Sequence, residues 1–211
     1  MANSNGAFGL RPIGVVGQAA NTTGVTEYRI AAGNTNAIYQ GSPVIPLSTG
    51  FIDIVGAATG GTVGLLGVFW GCEYVSSTTG EKIYSNSWPG SGADTDHPVT
   101  AFVYDNPMQT YVICSDASLT NEATARGHVF ANANFAAGTS GSSTTGISSA
   151  KLGVSTIAAT AALQLRIMGV QNDPDNADFA AAGIPVIVRL NNSFNSANGA
   201  IVAGTPSTTG V

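Results

Sequence analysis

Titratable side chains are sparse in this chain, and the few that cluster suggest acid–base or metal chemistry. There are two histidines, His97 and His128. In "DTDHP", residues 94 to 98, Asp94, Asp96 and His97 stand close together. Carboxylates beside an imidazole can hold a hard cation or exchange protons with a substrate. A solvated loop ahead of "PVTAFVYD" is the stronger reading, because acid–base catalysis needs a partly desolvated pocket and nothing nearby supplies one. In "NDPDNAD", Asp173, Asp175 and Asp178 are candidates for Ca²⁺. An EF-hand loop, however, requires Gly at its sixth position and Glu at its twelfth, which here are Asp178 and Ile184. The stronger reading is an Asx-rich turn capping a short helix at its positive end. No histidine lies in a His-Glu-x-x-His spacing, and two histidines do not make a zinc site. Neither a metal nor a cofactor is expected.

Nucleophilic and phosphate-binding motifs are missing as well. No serine sits in a Gly-x-Ser-x-Gly elbow, there is no Gly-x-x-x-x-Gly-Lys loop, and the glycines never form a dinucleotide fingerprint. The chain is therefore not expected to be an enzyme. "SNSWPGSG", residues 85 to 92, places Trp88 before a proline in a Gly/Ser loop. Two readings stay open for it: an exposed indole that stacks on a sugar or anchors a protein contact, or a lid folded back on the core.

The elements that would position these residues read as strands. "TEYRI", "PVIPL", "FIDIV", "GLLGVFWGCEYV", "KIYS", "PVTAFVYD", "QTYVIC", "LQLRIMGV" and "IPVIVRL" are strand length, rich in β-branched and aromatic residues, and separated by turn residues. In "GVFWGCEY", Val68, Trp70, Cys72 and Tyr74 fall on one face by alternation, and these four are expected to face the core. "AFVYDNPMQTYVIC" reads as an antiparallel hairpin turning at Asp105, Asn106 and Pro107, and "SSTTG" at 76 to 80 as a second turn. Helices are expected only as short pieces, one ending at Gly127 and one from Asn176 to a Gly183 cap.

Residues 1 to 25 read as an extended arm with a weak first strand. Residues 26 to 190 form a β-rich domain whose Gly/Ser/Thr loop at 136 to 151 is a possible sub-lobe boundary, and 191 to 211 form a polar tail. The expected fold is all-β: a mainly antiparallel sandwich or barrel with extended arms at both ends and at most two short helices.

Composition narrows the partners. Of 211 residues, 44% are apolar but only 9% charged, against about 25% in an average domain. Seven basic against twelve acidic residues give a net charge of −5 without a basic cluster, so a nucleic-acid partner is not expected. No apolar run reaches the roughly 20 residues of a spanning helix, so neither is a membrane. The start has no basic or hydrophobic leader region, which points to synthesis in a reducing cytoplasm with Cys72 and Cys114 as buried thiols. A weakly ionic surface of Ser, Thr and Asn suits permanent contacts, because burying neutral polar groups costs less than burying charges.

"NGAFGLRP" (5 to 12), "LGVFWGCEY" (66 to 74), "WPG" (88 to 90), "AFVYDNP" (101 to 107) and "LRIMGVQND" (165 to 173), in that order, resemble the head decoration, or cement, proteins of cyanobacterial and marine tailed phages. The resemblance runs to about Leu190; the two cysteines are not part of its pattern, and the tail is unmatched. It implies a non-enzymatic virion protein, made in the host cytoplasm, that sits on the capsid exterior. There it would stabilise the shell by clamping adjacent major capsid protein subunits. A homotrimer at local threefold positions is favoured, with a dimer across twofolds as the alternative. Carried onto this chain, the match at Phe8, Leu10, Arg11 and Pro12 implies an arm laying two apolar anchors and a guanidinium on the shell, with Trp88 as a further capsid-binding candidate. The rival readings are another virion component, such as a head fibre base or tail protein, and a glycan-binding β module using Trp88, Asp94 and Asp96.

Overall fold

The computed structural model describes residues 3, 6–17, 24–56 and 64–196. Its strands are β1 (Arg11–Val15), β2 (Thr26–Ile30), β3 (Pro43–Pro46), β4 (Ile52–Ile54), β5 (Gly67–Val75), β6 (Lys82–Ser85), β7 (Val99–Tyr104) and β8 (Gln109–Cys114). The single α-helix among the described residues, α1 (Glu122–Gly127), precedes β9 (Asn132–Ala133), β10 (Phe135–Ala136), β11 (Lys151–Leu152), β12 (Leu165–Val170) and β13 (Pro185–Leu190). Each apolar segment singled out in the sequence forms a strand. All ladders between these strands are antiparallel.

The strands build two main sheets. The first has the order β1-β8-β13-β12-β9; the second runs β2-β7-β5-β3-β4 with β6 added on β5, and β10 pairs β11 apart from both. Tyr111, Ile113, Leu165, Ile167, Val186 and Val188 of the first sheet share a core with Ile45 and Val68 of the second. This is a sandwich. The second sheet is also buried on its other face, where Val44, Phe69, Cys72, Val99, Ala101 and Val103 pack under Ile38 and Trp88. Burial on both faces explains why its central strands read as apolar runs rather than clean alternations. Strands β2 and β4, at its two ends, approach one another. No ladder joins them among the described residues, so the sheet curls without closing into a barrel.

Three expectations need correction. The segment "AFVYDNPMQTYVIC" is not a hairpin: β7 pairs with β2 and β5, whereas β8 pairs with β1 and β13. The turn itself forms, with Asn106 Oδ1 accepting from Met108 N, but it carries the chain from one sheet to the other. Tyr111 pins that corner by donating its hydroxyl to Tyr104 O at 3.1 Å. Turn chemistry fixes where a chain reverses, not which strand it then pairs with.

In β5 the alternation breaks at Trp70. Phe69 pairs with Val103 and Gly71 with Phe102, which leaves Trp70 as the extra residue of a β-bulge. A bulge shifts every following side chain to the opposite face. Phe69 and Cys72 consequently share the outer core with Tyr74, Val68 faces the sandwich core, and Trp70 is half-buried. Gly67 opens the strand because a Cβ there would lie 2.3 Å from Tyr104 O.

The helix expected over 176 to 183 is absent. A 3₁₀ turn, Pro174–Asn176, is capped by Asp173, and Asp178 Oδ1 accepts from Ala180 N. Asx side chains here take the backbone donors that a helix would need. The other expected helix is α1, capped by Asn121 Oδ1 accepting from Thr124 N. The turn at 76 to 80 joins β5 to β6 as expected, with Gly80 at φ +71°.

The described parts of the arms are not free. Asn3 donates to the carbonyls of Asp178 and Ala182 and accepts from Asp178 N, and β1 is an edge strand of the first sheet. At the other end, Leu65 N donates to Asn192 O and Phe194 N to Leu65 O, which ties residues 192 to 194 to the segment leading into β5. The remainder of the tail, from 197, lies outside the described residues, as do 18–23 of the arm. The loop at 136 to 151 packs down through backbone bonds between Gln40 and both Gly146 and Ser148.

Candidate protein-docking face

Residues Phe8 to Pro12 are held by a contact between two glycines. Gly9 has φ +67°, and a Cβ on it would meet Gly41 O at 2.7 Å; Gly41 has φ +86°, and its Cβ would meet Phe8 O at 3.0 Å. Both positions need the conformational freedom and the small volume of glycine. Leu10 N then donates to Gly41 O at 2.9 Å, and Gly41 N to Phe69 O at 2.8 Å. Leu10 is fully buried in the sandwich core. It anchors the arm to its own domain, which corrects its expected role as a surface anchor.

Its neighbours remain at the surface. Arg11 is exposed, and its guanidinium carbon lies 4.7 Å from the centroid of the Phe8 ring. This cation–π contact orients the charge without neutralising it. Pro12 is half-buried opposite Tyr111 on the edge strand, a position where a missing N–H costs the sheet little. Phe8 and Arg11 border a hollow shared with Gln40, Gly41, Trp70 and Ile147. The hollow holds about 40 Å³, far below the roughly 300 to 1,000 Å³ of small-molecule pockets. Trp70 forms its wall, braced edge-on by Tyr104 at 5.4 Å. Aromatic and arginine side chains are the types that dominate binding energy at protein interfaces.

Of the expected binding residues, Phe8, Arg11 and Pro12 come together here, and Trp70 joins them unexpectedly. No sequence signal identified it, because alternation assigns it to the core. Trp88 belongs elsewhere. Its side chain is fully buried, Nε1 donates to Asn34 O at 3.2 Å, and Tyr74 packs edge-on against it at 5.4 Å. Backbone bonds in both directions between Trp88 and Ile38 clamp the loop. Of its two sequence readings, the core lid is the observed one, and the indole is not available to a shell or a sugar.

The acidic clusters are turns. Asp94 Oδ1 accepts from Asp96 N, and Asp94 Oδ2 lies 3.2 Å from His97 Nδ1 on an exposed loop. The Asp96 N–H, and then the imidazole, hold the Asp94 carboxyl below its ordinary pKa. Asp173 accepts from Asp175 N and Asn176 Nδ2, so its oxygens are committed within the turn. Among the described residues no group of three or more potential ligands converges as a metal site. His128 closes α1 with its backbone N–H on Ala125 O.

Both cysteines are free and buried. Desolvation pushes the Cys72 thiol up to about 12 and the Cys114 thiol up to about 11. They are protonated core groups, donating to Ser87 O and Gly6 O respectively. A larger open cleft lies among Asn36, Ala37, Tyr39, Ile54, Gly56 and the loop at Thr139 to Gly141. Its lining includes no carboxylate, imidazole or thiol.

Among the described residues no helix is long and apolar enough to cross a membrane. No protein-family model, curated protein or solved structure matches the chain.

Proposed function

We propose that the protein is a structural component of a phage virion that docks on the outside of the capsid and clamps adjacent major capsid protein subunits. The order of sequence segments resembling phage cement proteins motivates this reading. The observation that carries it is the preorganised surface at the start of the chain. Phe8 and Arg11 are held at a small hollow beside Trp70 and Ile147 by a buried leucine and a glycine-to-glycine contact, and Trp70 is braced by Tyr104. Preorganisation matters because side-chain and loop ordering otherwise subtracts from binding energy. A chain with only 9% charged residues, set against copies of itself and a lattice, avoids much of the desolvation cost of buried lysine and glutamate. A homotrimer at local threefold positions fits this role, and a dimer across twofolds is its alternative.

Co-sedimentation of the full chain with naked, expanded phage shells tests the proposal. Saturable binding at a fixed ratio to the capsid subunit, with shells becoming more resistant to heat or denaturant, is the expected result. Shells that pellet without the chain, at any concentration, would refute it.

A further inference from the structure

The outward face of the first sheet carries an arrangement that its own chain leaves unresolved. Arg189 pairs directly with Thr110 on one side and with Arg166 on the other, and Arg166 pairs with Asn132. Directly opposed residues share a face, so Thr110, Arg189, Arg166 and Asn132 form one row across four strands. The next row is Arg11, Val112, Ile187 and Gly169. The residues between these rows, Tyr111, Val188 and Ile167, point into the core. Three of the seven basic residues thus share one face, and neither row contains a carboxylate.

Like charges directly opposed on a sheet are destabilising. Arg189 and Arg166 nevertheless face each other, both half-buried. Burial and the neighbouring Arg166 charge both lower the Arg189 pKa from its ordinary value. The ion pairs among the described residues use Lys82, His97 and Arg126, and none uses Arg166 or Arg189. Arg166 Nε donates to Asn132 Oδ1 at 3.2 Å, which fixes the plane of its fork. Arg189 Nη1 has only the soft sulfur of Met108 at 3.2 Å, and its buried Nε has no partner. Neighbouring guanidiniums with spare donors and no ion-paired anion suit a carboxylate, which can accept from both.

We propose that the Arg166–Arg189 pair is a docking site for an Asp or Glu side chain of a partner protein, held by charge-assisted hydrogen bonds from both guanidiniums. The flanking surface favours a protein over a nucleic acid. Ile187 and the 45%-exposed Met108 offer apolar contact beside the charges, and the net charge of −5 repels a nucleic-acid backbone. Neither arginine of the pair lines the hollow at Trp70, and the site stands whether or not the partner is a viral shell.

The test uses the full-length chain, ¹⁵N-labelled at arginine and titrated at low ionic strength with an acetylated, amidated hexaglutamate peptide. Hexaglutamine and inorganic phosphate serve as parallel probes. The Nε–H resonances of Arg166 and Arg189 should shift saturably with hexaglutamate and stay still with hexaglutamine. Arg166→Gln and Arg189→Gln should each weaken the apparent affinity about tenfold, as expected for losing one charged hydrogen-bond partner, with Tm unchanged or raised because the repulsion is gone. Arg166→Lys, which keeps the charge without the fork, should also weaken binding. The inference is overturned if those two resonances do not move, or if the Gln variants bind equally well. It is also overturned if phosphate saturates the site more tightly than hexaglutamate, or if concentrating the chain alone produces the shifts, which would make a second copy the occupant.

Discussion

Leu10 donates its backbone N–H to Gly41 O at 2.9 Å while its side chain fills the sandwich core. One residue therefore couples the surface at Phe8 and Arg11 to the stability of the domain. Gly41→Ala would place a methyl about 3.0 Å from Phe8 O at a φ of +86°. The expected loss is about 1 to 3 kcal/mol in urea unfolding, together with weaker shell binding as the arm is displaced. Unchanged stability would show that the close approach is not a constraint.

Arg11 is exposed and its contact with Phe8 is a surface one, so Arg11→Ala should leave the unfolding midpoint within about 0.5 kcal/mol of the parent. Shell binding should nonetheless fall about tenfold or more, a loss of roughly 1.4 kcal/mol. Isothermal titration against expanded shells reads this. Equal affinity in the variant would remove Arg11 from the docking face.

Trp88 is expected to behave in the opposite way. Deleting its buried side chain in Trp88→Ala should cost about 3 to 5 kcal/mol of stability. Trp88→Phe, which keeps most of the volume but loses the bond to Asn34 O, should remain folded and bind shells normally. A binding defect in folded Trp88→Phe would restore the indole as a contact residue.

Stability should fall on the alkaline side. Burial raises Cys72 from 9.0 to about 12 and Cys114 from 9.0 to about 11. Tyr28 rises from 10.0 to about 12, through burial and then its bond to Asp105, and burial raises Tyr111 as well. These groups lose their protons more easily unfolded than folded, so the unfolded chain holds fewer protons above pH 9 and stability drops as pH rises. Below about pH 8 these groups contribute almost no slope. Thermal melts from pH 7 to 12 should show Tm falling from about pH 8. In a Cys72→Ala, Cys114→Ala variant, the onset should move toward about pH 9, where the unfolded tyrosines begin to titrate. A flat profile to pH 12 would contradict the burial of these groups.

Strand positions were legible because β-branched runs punctuated by turn residues specify extended backbone locally. Pairing was not. Asn106 and Pro107 signal a reversal whether the chain stays in one sheet or crosses to another, and only tertiary packing separates the two. The bulge at Trp70 was equally hidden, since one extra residue inverts the faces of β5 without any compositional mark. Phe8, Arg11 and Pro12 were found as a sequence cluster, but the burial of Leu10 depends on Gly41, which is remote in sequence. The opposed arginines required the β12–β13 register, and "LRIMG" and "VIVRL" carry no trace of it.

A cryo-EM reconstruction of expanded phage shells mixed with excess chain tests the central proposal most directly. The account predicts added density at fixed lattice positions on the outer surface, with the hollow of Phe8, Arg11 and Trp70 turned toward the shell. Bare shells, or density attached through a face that leaves this hollow open to solvent, would contradict it.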